Sequence, residues 1–308
     1  MILGIDTSCY TTSVAIVKDG NIIADERMPL TVEKGERGLR QSDGVFMHIK
    51  SLPVLLEKLG QSHPLKDISA VAVSASPRPE ENSYMPVFMA GLTVASSVAT
   101  ALNVPLYKTS HQEGHIMAAL ESCGEKVEDT EFISVHISGG TTELLHTKRT
   151  KEGFCFSLAG ESLDLHAGQL IDRIGVAMGL GFPCGKELDT LALKSKNPIS
   201  FPVTMKGSNF HLSGAEAQGL QKISLGEKKE DIAKGILLAV GKSLKKALDE
   251  INREASFNIV IMGGGVSASK TIRDYFHSVK CDYKVLFSNP AYSTDNACGV
   301  ALIGDKLR

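Results

Sequence analysis

A chain of 308 residues is long for one ordinary core and short for three, so its length points to two domains or one two-lobed domain. With 43% hydrophobic and 22% charged residues it is globular rather than disordered, and a formal charge of -2 excludes a generally basic surface that coats nucleic acid, though not a local basic groove. The cysteines Cys9, Cys123, Cys155, Cys184, Cys281 and Cys298 are scattered with no CxxC, which reads as reduced thiols in a cytoplasmic protein and not as a disulfide frame or a cysteine zinc site.

In chain order, alternating apolar runs predict strands over 2–5, 12–17 and 21–24, joined by a small polar turn at Asp6-Thr7-Ser8 and a tight Asp19-Gly20 hairpin. Phe46, Ile49, Leu52 and Leu56 recur at helical spacing in a helix over 45–59, and 71–74 reads as a buried strand. The stretch 82–107 carries no charge, yet its prolines, Ser, Thr and Ala residues leave it too polar to face lipid. It is expected to be a helix buried within the protein, followed by a strand at 104–107, with no membrane span. The opening pattern then returns: strands at 132–137, 142–147 and 154–157, with Ser138-Gly139-Gly140-Thr141-Thr142 as the polar turn and Lys151-Glu152-Gly153 as the hairpin. Lys, Gly and Ser dominate 194–230, which is expected to form a loop-rich cap. A long amphipathic helix follows over 232–251, then a strand at 259–262 that ends in Gly263-Gly264-Gly265.

Glycines just past buried strands let a backbone approach a ligand closely, and their N–H groups form anion-binding nests. Such turns, in a duplicated strand–turn–strand plan, match the actin-like ATPase (sugar-kinase/actin) architecture: α/β, duplicated and two-lobed. The expected division is a first lobe over 1–108, with a C-terminal helix over 296–308 packed back on it, and a second lobe over 109–295.

His111-Gln112-Glu113-Gly114-His115 opens a predicted helix. Histidines four apart share one helix face and can reach the same ion. A zincin requires its carboxylate directly after the first histidine; here Glu113 stands one residue too late. Two histidines are also too few ligands, so a third must come from elsewhere in the chain.

At this point the chain resembles the TsaD family of threonylcarbamoyl transferases, formerly described as O-sialoglycoprotein endopeptidases, with relatives in the KEOPS complex. Gly4-Ile5-Asp6-Thr7-Ser8-Cys9 is similar to the family's G-I-E-T-S-C, and Ser110-His111 through His115 to its N-H-x-x-x-H. Ser138 to Leu144 resembles S-G-G-H-T-Q-L; Gly160 to Asp164 and Ala167 to Asp172 resemble G-E-T-x-D-D-A-A-G-E-A-F-D; Gly181-Phe182-Pro183-Cys184-Gly185 resembles G-Y-P-G-G. Met262 to Val266 is similar to the late glycine turn, and Ser293-Thr294-Asp295-Asn296-Ala297 to C-T-D-N-A-A.

The resemblance implies a divalent metal, iron or zinc, on His111, His115 and Asp295 between the lobes, with His136 as a candidate fourth ligand. It implies an adenine nucleotide at Ser138, Gly139, Gly140, Thr141, Thr142, Asp172, Gly185, Asp189, Gly264, Gly265 and Ser269, and threonylcarbamoyl-AMP and tRNA as partners. Asp6 and Arg78 are the candidate catalytic residues, and pairing as a homodimer, or as a heterodimer with a family paralogue, is expected. The chain also departs from the pattern. Tyr10 and Thr11 replace acids, Ser76 to Pro86 replaces a glycine-rich turn, Thr141 replaces a histidine, Ser269 an asparagine and Glu216 a lysine. The departures suggest a divergent paralogue and leave three readings open: a tRNA threonylcarbamoyl transferase, a non-catalytic nucleotide-binding partner module, or a metallopeptidase.

Overall fold

The structure, a computed structural model, describes residues 1–8, 10–31, 39–128, 130–151 and 153–308. Cys9 of the opening motif and Glu152 of the expected hairpin lie outside the described residues. In chain order the elements are β1 (Ile2–Ser8), β2 (Thr11–Lys18), β3 (Asn21–Pro29), α1 (Gln41–Ser62), β4 (Ala70–Ser76), α2 (Val87–Leu102), β5 (Leu106–Ser110) and α3 (His111–Ser122). There follow β6 (Glu131–Ile137), β7 (Thr142–Arg149), β8 (Phe154–Glu161), α4 (Ala167–Ala177), α5 (Gly185–Ala192), β9 (Thr204–Lys206), β10 (Asn209–His211), α6 (Ser213–Ser224) and α7 (Lys229–Glu254). The chain ends with β11 (Ile259–Gly263), α8 (Lys270–Ser278), β12 (Lys284–Phe287) and α9 (Cys298–Leu307).

These elements form two compact units. The first comprises Met1–Ser122, Thr150–Phe154 and Thr294–Arg308; the second comprises Cys123–Arg149 and Cys155–Ser293. Each contains a five-stranded sheet, in the order β3-β2-β1-β4-β5 in the first and β12-β11-β6-β7-β8 in the second. In both, consecutive strands form one side, and two parallel strands reached by crossovers form the other. This is the duplicated plan expected from the repeated strand–turn–strand pattern. The Asp19-Gly20 hairpin has positive φ at both central residues, 49° and 75°, as a type I′ turn requires.

Strand periodicity divides the first sheet between two sets of partners. Leu3 and Ile5 join Val14, Ile16, Leu52, Leu59, Val71, Val73 and Ala95 in the core beneath α1 and α2, whereas Ile2, Ala70 and Ala72 pack with Val300 of α9. The uncharged segment is half-buried as α2, with Phe88, Gly91, Ala95 and Ala99 inside and Met89 exposed. Among the described residues no helix is long and apolar enough to cross a membrane. In the second unit Ile133, Val135, Leu170, Ile174, Ile236, Val240 and Leu244 belong to one core.

Two expectations differ from the structure. Helix α3 belongs to the first unit, so the division falls after Ser122 and not after residue 108. The cause lies in its packing: a side chain at Gly299 of α9 would collide with the Gly114 carbonyl of α3, so the two helices meet backbone to backbone. The segment 194–230 is also more ordered than its composition suggests, containing β9, β10 and α6. Helix α6 buries only Ala215 and Gly219, too little to give a hydrophobic stripe, and its start is held by Asp164, whose carboxylate accepts from the backbone of Leu212 and Ser213.

Candidate metal centre

Glycines of the first unit bring three elements within contact distance. A Cβ at Gly4 would stand 2.6 Å from the Ala297 carbonyl oxygen, so β1 lies directly against the entry to α9. Gly114 and Gly299 do the same for α3 and α9. Two residues beyond Gly4 is Asp6; flanking Gly114 are His111 and His115; just before α9 is Asp295. The same close approaches that pack the unit therefore assemble the site.

His111 Nε2 and His115 Nε2 are 3.0 Å apart, and Asp295 Oδ1 is 3.3 Å from His115 Nε2 and 3.5 Å from His111 Nε2. The rings are edge to face, with centroids 4.4 Å apart. Ligands at roughly 2.0–2.2 Å from a zinc-like ion lie about 3 Å from one another, which is the spacing of these donors. Two imidazoles and a carboxylate suit iron or zinc and leave further positions open. All three residues lie in the first unit. His136 is on β6 of the second unit, opposite Glu143 in the register, and is not one of the three.

Asp6 stands behind this trio. It is fully buried, accepts from the Ser74 hydroxyl and lies 3.1 Å from His111 Nδ1. An Nδ1–H donated to Asp6 leaves the Nε2 lone pair facing the other donors, an outer carboxylate arrangement common to metal-bound histidines. Asp6, expected to be catalytic, thus touches the trio through the His111 ring. Burial opposes charge on His111, but Asp6 and Asp295 outweigh it and hold the imidazole pKa well above its ordinary value. Burial would raise the Asp295 carboxyl, but the two imidazoles pull it well below the usual carboxylate range.

The Glu113 carboxylate is occupied elsewhere. Its Oε2 accepts from the backbone N–H of Ser110 at 2.9 Å and from the hydroxyls of Ser110 and Thr109, and Oε1 accepts from the Phe154 N–H at 3.3 Å. The Ser110 hydroxyl in turn accepts from the Glu113 N–H at 3.2 Å, completing a capping box at the start of α3. Glu113, already one residue too late for a zincin base, is thus committed to the start of α3 and to Phe154. Arg78 is half-buried in a loop fixed to the same helix: Pro77 O accepts from the Gln112 N–H at 3.0 Å.

The expected nucleotide positions all lie in the second unit. Gly168 N–H donates to Ser138 O, and a Cβ at Gly168 would stand 2.5 Å from Gly139 N, so the turn after β6 is seated on the start of α4. Ser138 Oγ accepts from the N–H groups of Gly140 and Thr141, and buried Thr142 accepts from the Ala167 N–H. A side chain at Gly264, whose φ is 85°, would collide with Ile137, which places the late glycine turn beside this one. At Gly139, Gly140, Gly185 and Gly265, by contrast, an added Cβ would meet nothing within 4 Å, and φ is not positive.

The two carboxylates among the expected nucleotide positions have protein partners. Asp172 accepts from the Cys184 N–H at 2.8 Å, and burial raises its pKa. Asp189 accepts from the Ser269 hydroxyl at 2.7 Å and from the N–H groups of Lys270 and Thr271, which makes it a cap for α8. Glu216, the reversed charge, pairs with Arg173 at 3.0 Å.

Comparison with known proteins bears on the family and the fold. The family model described as tRNA N6-adenosine threonylcarbamoyltransferase, TsaD, matches residues 46–302. The enzyme of that name from Thermus thermophilus is 29% identical, over 98% of this chain and 91% of its own, and that from Sulfurihydrogenibium sp. is 32% identical, over 99% and 90%. Component A of the (R)-2-hydroxyglutaryl-CoA dehydratase of Acidaminococcus fermentans superposes with a TM-score of 0.58 at 18% identity, covering 100% of this chain and 99% of its own. A ROK family glucokinase from Streptomyces griseus gives 0.54 at 12% identity, covering 99% and 98%. Likeness at such low identity establishes the fold alone, which is the actin-like ATPase and sugar-kinase fold. Sequence similarity over nearly the whole length establishes more: this chain belongs to the TsaD family of tRNA N6-adenosine threonylcarbamoyltransferases.

Proposed function

We propose that this chain, a divergent member of its family, transfers the threonylcarbamoyl group of threonylcarbamoyl-AMP to the N6 amine of an adenosine in tRNA. The observation that carries the reading is the convergence of His111 Nε2, His115 Nε2 and Asp295 Oδ1 on one point, with Asp6 fixing the His111 ring from behind. These three residues would hold one iron or zinc ion, which when bound supplies a Lewis acid for an acyl or phosphate oxygen of the donor. The chain's own part is to orient: Asp6 sets the His111 tautomer, and the capping box at Ser110 and Glu113 fixes the helix turn that carries both histidines. In the transfer, N6 bonds to the carbamoyl carbon, the bond from that carbon to the phosphate oxygen breaks, AMP leaves with the electron pair, and the amine proton passes to water.

The adenylate is assigned to the second unit, over Gly139, Gly140, Gly185 and Gly265, where glycine serves no packing need of the fold itself. Pairing with a second copy or a related chain is assigned to α1 and α2, on which Phe46, Ile49 and Met89 are exposed. The test is to titrate the purified chain with Zn(II) and AMP, then incubate it with threonylcarbamoyl-AMP and tRNA. We expect modified adenosine from the wild type and none from His115→Ala, whose Zn(II) affinity falls by more than the roughly 10–100-fold typical of losing an outer partner. Zn(II) and AMP binding without transfer to tRNA would overturn the enzymatic reading and leave a binding module.

A further inference from the structure

Asp295 is the one member of the trio not carried on α3, and the loop that bears it is held by a residue on β3. Arg27 donates through Nε and one terminal nitrogen to both oxygens of Asp25, at 2.9 and 2.5 Å, and through its other terminal nitrogen to Thr294 Oγ1 at 3.1 Å. Thr294 directly precedes Asp295. Cys298, the first residue of α9, is buried. Within the loop, Asn296 Nδ2 donates to Thr294 O at 2.7 Å, and Asn296 Oδ1 accepts from the Cys298 N–H at 3.0 Å. Asn296 thus sets the curvature of the loop, and Arg27 ties the loop to the sheet at Thr294.

Register explains why a residue on an outer strand reaches the metal centre. Arg27 on β3 is opposite Ser13 on β2, and Ser13 is opposite Asp6 on β1. Ser74, which binds Asp6, follows on β4, and its partner on β5 is Thr109, which binds Glu113. Directly paired residues project from the same sheet face, so one polar row across five strands serves the whole centre. Asp6 steadies the histidine side of the trio, and Arg27 stands where it can steady the carboxylate side. The fork is fixed in plane by its bidentate partner and is about four-fifths shielded, with 20% of its side chain exposed, which sets it apart from a freely solvated surface pair.

We propose that Arg27, braced by Asp25, is a positioning residue that fixes the Asp295 carboxylate for metal binding. The inference rests on the metal reading of the trio given above. Its test is the Zn(II) affinity, by calorimetry, of the full chain and of the Arg27→Ala, Thr294→Val, Thr294→Ser and His115→Ala variants, with thermal unfolding of each metal-free protein alongside. We expect Arg27→Ala and Thr294→Val each to lower affinity about tenfold, at the lower end for an outer partner. Thr294→Ser, which keeps the hydroxyl, should stay near wild type. If Arg27→Ala does not fold, the two Thr294 variants still decide the matter. Wild-type Zn(II) affinity in Arg27→Ala or in Thr294→Val, whatever happens to thermal stability, overturns the proposal, as does an equal loss in Thr294→Val and Thr294→Ser. A wild-type chain that binds no Zn(II), or binds it undiminished after His115→Ala, overturns the metal centre itself and the inference with it. The His115→Ala arm therefore separates the two failures.

Discussion

In the first unit the glycines bring elements together, and side chains carry the chemistry; in the second, several glycines face open space, and the nearby carboxylates serve the fold. Gly4, Gly114 and Gly299 each exclude a Cβ because backbone or side chain already fills the place. The groups they assemble, Asp6, His111, His115 and Asp295, are partly or fully buried and bound to one another. In the second unit Asp172 and Asp189 hold backbone N–H groups, and the unfilled positions are at Gly139, Gly140, Gly185 and Gly265. A side-chain site fails when its ligands or their spacing change, whereas a backbone site fails when bulk is added. The two units are therefore vulnerable to different substitutions.

The largest effect is expected at Gly299. Alanine there gains up to about 1 kcal/mol in helix propensity, but its Cβ collides with the Gly114 carbonyl, and overpacking of this kind costs about 1–3 kcal/mol or more. Backbone contact leaves no flexible side chain to yield, so the clash outweighs the propensity. Gly299→Ala should lower the melting temperature by several degrees and, by separating α3 from α9, weaken Zn(II) binding together with stability. Intact Zn(II) affinity in a destabilised variant would show that the trio does not depend on this helix contact.

Next in size is a contrast within the second unit. Gly264 has a φ of 85° and no space, so Gly264→Ala is expected to cost about 1–3 kcal/mol. Gly139→Ala meets nothing and should change stability by no more than about 0.5 kcal/mol, while AMP affinity falls because the ligand's own space is occupied. Unchanged AMP affinity in Gly139→Ala would move the nucleotide away from this turn. Asp189→Ala offers the converse: a lost cap on α8 worth about 1 kcal/mol in thermal unfolding, with AMP binding retained. A loss of AMP affinity without loss of stability would place Asp189 at the nucleotide.

These contrasts also mark what could be read from the sequence. The strands, the Asp19-Gly20 hairpin and the long helix α7 follow from local periodicity, and the duplicated plan from its repetition. The pairing of His111 with His115 is legible because a helix fixes both on one face. Asp295 was reached by resemblance alone, since nothing local ties residue 295 to residue 111. Sequence spacing also shows which residues are near one another on an element, but not which carboxylate is already committed. Asp6 was read as catalytic and Asp189 as a nucleotide position, and the structure shows that each also accepts from a protein hydroxyl. For Asp189 no local signal existed, because its partners lie some 80 positions away. For Glu113 one did: Ser110-x-x-Glu113 is a capping-box spacing at the start of a helix, and it was the better clue to that carboxylate than the histidines around it. Arg27 was missed because its role depends on a row of register-paired residues that no window of sequence contains.

The smallest expected effect belongs to Arg78, and it bears on specificity rather than on assembly. The Ser76 hydroxyl donates to Arg78 O at 2.7 Å, the Arg78 N–H donates to Ser83 Oγ at 2.9 Å, and Pro77 O accepts from the Gln112 N–H. The backbone on either side is thus fixed, one residue from a segment pinned next to His111. A guanidinium carried there suits a carboxylate in two-point contact. Threonylcarbamoyl-AMP has such a carboxylate on its threonyl group, and AMP has none. A hydrogen bond to a charged group is worth about 1.5–3 kcal/mol when well shielded; Arg78 is only half-buried, so we expect a three- to tenfold effect, below that full range. Arg78→Ala should therefore weaken threonylcarbamoyl-AMP binding three- to tenfold, with AMP and Zn(II) affinities unchanged. Equal losses for threonylcarbamoyl-AMP and AMP would place the guanidinium on the phosphate instead. No loss for either would make Arg78 an ordinary loop residue, and recognition of the threonyl carboxylate would then have to come from another part of the chain.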